Sequence, residues 1–323
     1  MSRKIAFLLV SLISIIGLFG SSYANADTNV ANGFRLSPVR IDATVEKGHS
    51  ITENLFVTNV NNYQITAKAI INEFTASNDE SGAPAVILDN SQPAPADSFR
   101  AITSTIPDVT IDTGKTVTVP VTITVPQNAN SGGYYGAVRF VSANTANGNS
   151  VTLSASVGTI FLITVPGKLT EQLQLVDFSA AQNGSTASYF TTSKNLQIVT
   201  RLQNTGNIHL APTGKINITN SGGKVIETVD FNNTNPRGEV LPGTTRKYTY
   251  NIQSQNLFGR YSATAYLGYG TLGQVLTVKT SFWVIPFWVL VVGGIMLISV
   301  VGGIAYVVMR RRNSPRHNAH VKK

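Results

Sequence analysis

Apolar and polar residues alternate with a period of two along much of the chain. Residues 115–126 read KTVTVPVTITVP. Val117, Val119, Val121, Ile123 and Val125 take one face, and Thr116, Thr118, Thr122 and Thr124 take the other. That alternation predicts a half-buried strand. Pro120 lies on the polar face and predicts a sheet edge or a bulge, because proline cannot donate to a ladder. Residues 51–59 and 63–74 predict two further strands joined near Asn61-Asn62. In residues 132–141 Tyr134, Val138 and Phe140 share one face, and Tyr135 and Arg139 the other. A strand within 151–165 completes the first half. After Pro166-Gly167, Leu196, Ile198 and Leu202 alternate with Gln197 and Arg201. A hairpin is expected around Ser221-Gly-Gly223, and final strands over 246–253 and 260–269.

One segment breaks this pattern. Residues 282–309 are uncharged and strongly apolar, and Arg310, Arg311 and Arg312 follow at once. At about 1.5 Å per residue such a run exceeds the roughly 30 Å hydrocarbon core of a bilayer. Pro286 stands near its start and moves the expected helix to 287–309. Trp283 and Trp288 fall at one end, where indole rings favour the headgroup layer, and the arginines fall at the other. At the N-terminus Arg3 and Lys4 precede an apolar stretch and Ala24-Asn-Ala26, the pattern of a signal peptide cleaved after Ala26. The expected organisation is a signal peptide (1–26), a first domain (27–166), a second domain (167–281), a transmembrane helix (282–309) and a basic tail (310–323). The expected location is the cell membrane, single-pass, with the ectodomain outside and the C-terminus cytoplasmic. Short strands with turns at regular spacing predict an all-β ectodomain of two tandem immunoglobulin-like sandwiches, with a barrel as the alternative.

The formal charge of +9 changes little about the ectodomain. The first 26 residues carry two of the basic excess and the last 14 carry six, leaving 17 Lys/Arg against 16 Asp/Glu in residues 27–281. The basic balance is therefore a topology signal and gives no support to nucleic-acid binding. Cysteine is absent, which favours a bacterial surface protein whose domains rest on their cores.

No catalytic constellation stands out. His49 and His209 lie in different halves beside turn residues and read as solvated loop histidines without metal partners. Asp79 and Glu80 sit in a Ser/Pro/Asp-rich stretch, 77–98, that reads as a mobile surface loop with at most a short strand at 85–88. Catalytic, cofactor and metal residues are all expected to be absent, and a hydrolase is the least favoured class. The one binding patch the pattern offers is Tyr135 with Arg139, suited to a sugar or a peptide. Tyr248, Tyr250, Tyr261 and Tyr269 are expected in the core.

Phe34-Arg-Leu-Ser-Pro-Val-Arg-Ile41, Gly132-Gly-Tyr-Tyr-Gly-Ala-Val138, residues 204–214 (NTGNIHLAPTG), Val240-Leu-Pro-Gly243 and Phe258-Gly-Arg-Tyr261 together resemble one family. It is that of bacterial surface proteins with a DUF916-type, WxL-interacting peptidoglycan-binding domain. The resemblance implies two immunoglobulin-like domains, a signal peptide, a membrane helix, and attachment to peptidoglycan and a surface partner. The expected function is then binding of cell-wall glycan or another surface protein. The alternative is an assembly, chaperone-like role acting through strand pairing.

Overall fold

The computed structural model describes residues 29–31, 33–89, 91, 94, 98–142 and 156–312. The expected cleavage site at Ala24 and Ala26, and the tail after Arg312, lie outside the described residues. The first half holds β1 (Asn29–Ala31), β2 (Phe34–Ser37), β3 (Arg40–Thr44), β4 (Ser50–Asn59), β5 (Ile65–Ala76), β6 (Pro84–Val86), a one-turn helix α1 (Phe99–Ile102), β7 (Val109–Ile111), β8 (Thr116–Thr124), β9 (Gly132–Ser142) and β10 (Val157–Val165). The second holds β11 (Leu173–Gln182), β12 (Ser185–Thr186), β13 (Tyr189–Phe190), β14 (Leu196–Asn204), β15 (Thr213–Asn220), β16 (Val225–Phe231), β17 (Thr245–Asn251), β18 (Gly259–Tyr269) and β19 (Gln274–Val284). Helix α2 (Phe287–Arg312) follows.

Each half is a two-sheet sandwich, and the two share one strand order except that β1 precedes β2 whereas β12 follows β11, and that β7 pairs β5 in the first half alone. In the first, β1-β2-β4-β8 packs against β3-β10-β9-β5-β6; in the second, β12-β11-β14-β17 packs against β13-β19-β18-β15-β16. In both, the opening strand switches sheets, so that β3 and β13 run parallel to the last strand, β10 or β19. Alternation sets the cores. Leu55, Val57, Val121, Ile123, Phe140 and Phe161 are fully buried in one, and Leu196, Ile216, Phe231 and Phe282 in the other. At roughly 1.5–3 kcal/mol per buried large side chain, these cores hold without disulfides. β8 is an edge strand, as Pro120 indicates. β4 and β5, adjacent in sequence, lie in opposite sheets. Tyr248 and Tyr261 are buried in the second core, with Tyr250 and Tyr269 packed against it.

A buried asparagine closes the same corner in each sandwich. Asn59 Nδ2 donates to the carbonyls of Tyr63 and Ile111, and its Oδ1 accepts from Asn61 N–H. Asn204 Nδ2 donates to Ile208 and Val240, and its Oδ1 accepts from Gly206 N–H. The first strand of each central hairpin repeats as well: Tyr134 Oη donates to Asn130 O at 3.0 Å, and Tyr261 Oη to Phe258 O at 3.2 Å.

The apolar run divides between two elements. Phe282 and Val284 are fully buried at the end of β19 and Trp283 faces outward, so these three residues are strand, contrary to a span counted from Phe282. An exposed tryptophan between two core residues hides a period of two inside an apolar run. Helix α2 starts at Phe287. Within Phe287–Arg310 an 18-residue stretch has a mean hydropathy of 2.4 with none of it buried, long and apolar enough to cross a membrane.

Candidate functional site

The outer face of the sheet containing β3, β10, β9 and β5 carries Arg40, Asp42, Leu162, Ile160, Tyr135, Arg139, Asn72 and Phe74. One end of this face is covered by the second sandwich, and the other end forms the floor of a groove.

The covered end is held first by the linker. Asn207 Nδ2 donates to Ser131 O at 3.2 Å and Lys168 O at 3.1 Å, and Asn207 Oδ1 accepts from Thr170 N–H at 2.7 Å. The backbone N–H of Gly133 donates to Asn207 O at 2.9 Å. One residue thus ties the start of β9, the linker and the second sandwich together. A Cβ on Gly206 would lie 2.0 Å from Thr170 O, so this approach admits only glycine.

Apolar and charged contacts extend the junction. Phe74, Leu162 and Leu241 form a small buried cluster bridging the halves, with Tyr135 and Ile160 against it. Tyr135 packs edge-on against Phe74 and against His209, and its Oη lies 3.3 Å from His209 Nδ1. Burial pushes the Tyr135 phenol well above its ordinary value, and the Glu239 and Asp42 charges push the same way, against the His209 hydrogen bond. Arg40 Nη2 lies 2.7 Å from both Asp42 Oδ2 and Glu239 Oε1, and Nη1 donates to Arg237 O. His209 Nε2 lies 3.4 Å from Asp42 Oδ1. Burial works to raise the Asp42 carboxyl, but the hydrogen bonds and charges of His209 and Arg40 outweigh it and hold it below its usual value.

The 77–88 segment completes the contact. Glu80 makes a two-pronged ion pair with Arg201, with Nε at 2.7 Å from Oε2, and Glu80 O accepts from Lys247 N–H at 2.7 Å. The Arg201 hydrogen bond holds the Glu80 carboxyl below its ordinary value, with the Arg201 and Lys247 charges adding to it against desolvation. Arg246 lies against Gly82 and Gly238, donates to Glu239 O at 2.8 Å and stacks over Tyr248 at 5.3 Å.

Two expectations are corrected here. His209 is partly buried and engaged at the junction, not a solvated loop residue, whereas His49 is exposed. The short strand expected at 85–88 is β6, Pro84–Val86, paired with β5, and Asp79 is exposed as expected, whereas Glu80 is ion-paired to Arg201 of the second sandwich. Arg201 lies 121 residues from Glu80 in sequence, a separation that no local pattern can reveal.

Asp42, His209 and Glu239 place ligand atoms within 4.8 Å of one another. The Arg40 guanidinium already bridges the two carboxylates, so a cation would have to displace it. The donor set fits a closed ion-pair network and does not fit a metal.

Beyond this network the sheet face opens into a groove of about 650 Å³. Ala137, Arg139, Gly158 and Ile160 floor it. Pro84, Val86 and Leu88 form one wall, and Val39 and Pro236 the other. A chamber of about 220 Å³ lined by Phe74, Leu162 and Leu241 adjoins it and shares Arg40, Pro84, Ile160 and Pro236. Arg139 is held by Asn72 Oδ1 at 2.9 Å and Ser156 Oγ at 2.8 Å, and fully buried Asn72 donates to Ile87 O at 2.8 Å. Tyr135 and Arg139 therefore do share a face, but Tyr135 is spent on the junction and Arg139 alone reaches the groove. Of the residues expected to anchor the chain, Trp283 is the penultimate residue of β19, Trp288 the second of α2, and Arg310, Arg311 and Arg312 close it.

A scan against protein families and a search of curated proteins returned no match. Among solved structures, a chain of the chaperone–tip adhesin complex of CFA/I fimbriae is similar at 12% identity and a TM-score of 0.40, covering 78% of this chain and 99% of its own. A chain of the Salmonella enterica SafA pilin–SafB chaperone complex matches at 12% identity and 0.35, covering 79% and 98%. One from the Acinetobacter baumannii CsuC–CsuE pre-assembly complex matches at 14% identity and 0.32, covering 76% and 97%.

Proposed function

We propose that this chain is a non-catalytic bacterial surface protein, tethered by α2, that binds an extended segment of another surface protein in an assembly role. Its two halves are read as immunoglobulin-like sandwiches; the repeated strand order and the tyrosine-to-backbone bonds of Tyr134 and Tyr261 support that reading. The observation that carries the function is the groove beside the locked junction. It is mostly apolar and bordered by exposed Leu88 and Ile87. Arg139, fixed by Asn72 and Ser156, and the edge of β6 offer polar partners to a peptide, while Arg40, which also lines the groove, is taken up by Asp42 and Glu239. Peptidoglycan binding, implied by the DUF916-type resemblance, has less support, because among the described residues no aromatic ring lines the open groove for a sugar to stack on.

A photo-crosslinking residue at Leu88 in the full chain, expressed in its own membrane, tests this. The expected result is a discrete adduct with one protein, lost in Val39→Trp, which fills the groove from its rim, while thermal stability is kept. Adducts with glycan only, or a protein adduct indifferent to Val39→Trp, would sink the reading.

A further inference from the structure

The end of the second sandwich from which α2 leaves has a composition unlike the rest of the two sandwiches. Val284 is the last residue of β19 and Phe287 the first of α2. Ile285 N–H still donates to Phe190 O at 2.8 Å, so Pro286 is the sole residue between sheet and helix with no ladder bond. Two extended residues span at most about 7 Å. The four chain segments that meet at this end are 183–195, 220–226, 251–261 and 281–288. They hold Lys194, Lys224 and Arg260 and no Asp or Glu, although residues 27–281 as a whole are almost balanced. Glu227 borders this end, and its carboxylate is taken up by the backbone N–H groups of Gln253 and Ser254.

Aromatic side chains face outward among these cations. Tyr189 pairs with Trp283, and Trp283 with Arg260, across three adjacent strands. Their neighbours Phe190, Phe282 and Tyr261 are buried, so the row Tyr189–Trp283–Arg260 stands on the outer face of the sheet. Phe258, one residue before β18, is also exposed. Exposed Tyr, Trp and Phe beside Lys and Arg match the headgroup layer, where amphipathic rings partition and phosphates attract cations.

We infer that this end of the second sandwich docks on the headgroup layer of an anionic membrane through Tyr189, Trp283, Phe258, Lys194, Lys224 and Arg260. This rests on the reading of α2 as a membrane span. The span delivers the surface to the bilayer, and the aromatic and basic row holds the sandwich down instead of letting it pivot about Pro286. Each cation contributes separately, and its loss weakens docking about fivefold.

The chain has no cysteine, so single labels are unique. Nitroxides are placed by Phe258→Cys, by Tyr189→Cys, by Ile298→Cys within α2, and by Leu272→Cys on the turn at the opposite end of the sandwich. The full chain is reconstituted in bilayers of phosphatidylglycerol and phosphatidylcholine, and depth is read from collision with oxygen and with a water-soluble relaxer. Labels at 258 and 189 are expected at headgroup depth, 298 in the hydrocarbon and 272 in water. Lys194→Gln, Lys224→Gln and Arg260→Gln, each combined with the 258 label, should return it towards water. If 298 lies in hydrocarbon while 258 and 189 are as wet as 272, the docking inference falls and the span stands. If 298 is itself in water, the span fails and takes the docking with it.

Discussion

Asn59 and Asn204 each satisfy two carbonyls and one N–H from a side chain with no exposed surface. Removing such an amide strands its buried partners, and each lost buried hydrogen bond costs about 1–3 kcal/mol. Asn204→Ala is expected to lower the stability of the second sandwich by about 2–4 kcal/mol in urea unfolding, and Asn59→Ala the first by a similar amount. Surface Asn→Ala changes on the same strands should move it by less than about 0.5 kcal/mol. The signal for this pair was in the sequence. Residues 59–65 (NVNNYQI) and 204–210 (NTGNIHL) share Asn, a second Asn three residues on, and an apolar pair two apart. By contrast, the fate of Tyr135 was not legible: alternation fixes which face a side chain takes, while what covers that face is decided by the other half of the chain.

The 77–88 hairpin shows the same division at the level of elements. Its Asp, Pro and Ser content reads as loop, since such residues favour turns and form no apolar stripe. Its order comes from Glu80 meeting Lys247 and Arg201, the latter 121 residues further along the chain. Strands with one buried face, such as β8, β9 and β14, were legible because half-burial writes a period of two. β11 and β19 were not: β11 carries a bulge between Leu175 and Asp177, and β19 runs into the apolar helix. The hairpin has a pH signature. Glu80 and Asp42 are both held below their ordinary values, so their contribution to docking is complete above the usual carboxyl range near 4 and is lost as pH falls through their lower folded values. The groups facing them are Arg201 and Lys247, and Arg40, His209 and Glu239. Energy transfer between dyes on the two sandwiches should stay constant from about pH 7 to 5 and fall below about pH 4. Glu80→Gln should shift that loss to higher pH. A flat profile down to about pH 3 would show that the carboxylates do not hold the junction.

At the scale of the whole molecule, the relative placement of the sandwiches rests on a short linker, one asparagine and one small apolar cluster. Asn207 anchors the linker on both sides, and Phe74, Leu162 and Leu241 give the contact its buried apolar centre. Asn207→Ala removes three side-chain hydrogen bonds without touching either core. It should leave each sandwich within about 1 kcal/mol of its original stability and broaden the distance distribution between the halves, measured by double electron–electron resonance. An unchanged distribution would assign the fixed angle to the apolar cluster and the ion pairs, with no part for Asn207.

The last strand has a mechanical consequence. β19 is bonded to β18 over its full length, with registered pairs from Gln274 to Val284, and it passes tension from α2 into the sandwich at one end. The linker enters at the other end, through β11. Force applied between α2 and the linker would therefore draw β19 and β11 along their own axes in opposite directions. Their ladder bonds lie across that pull and must yield together, not one after another as in peeling a hairpin. On the proposed reading of α2 as a span, this shear path is what would carry a tug from a bound partner to the bilayer, and resistance along it is a matter of unfolding rate.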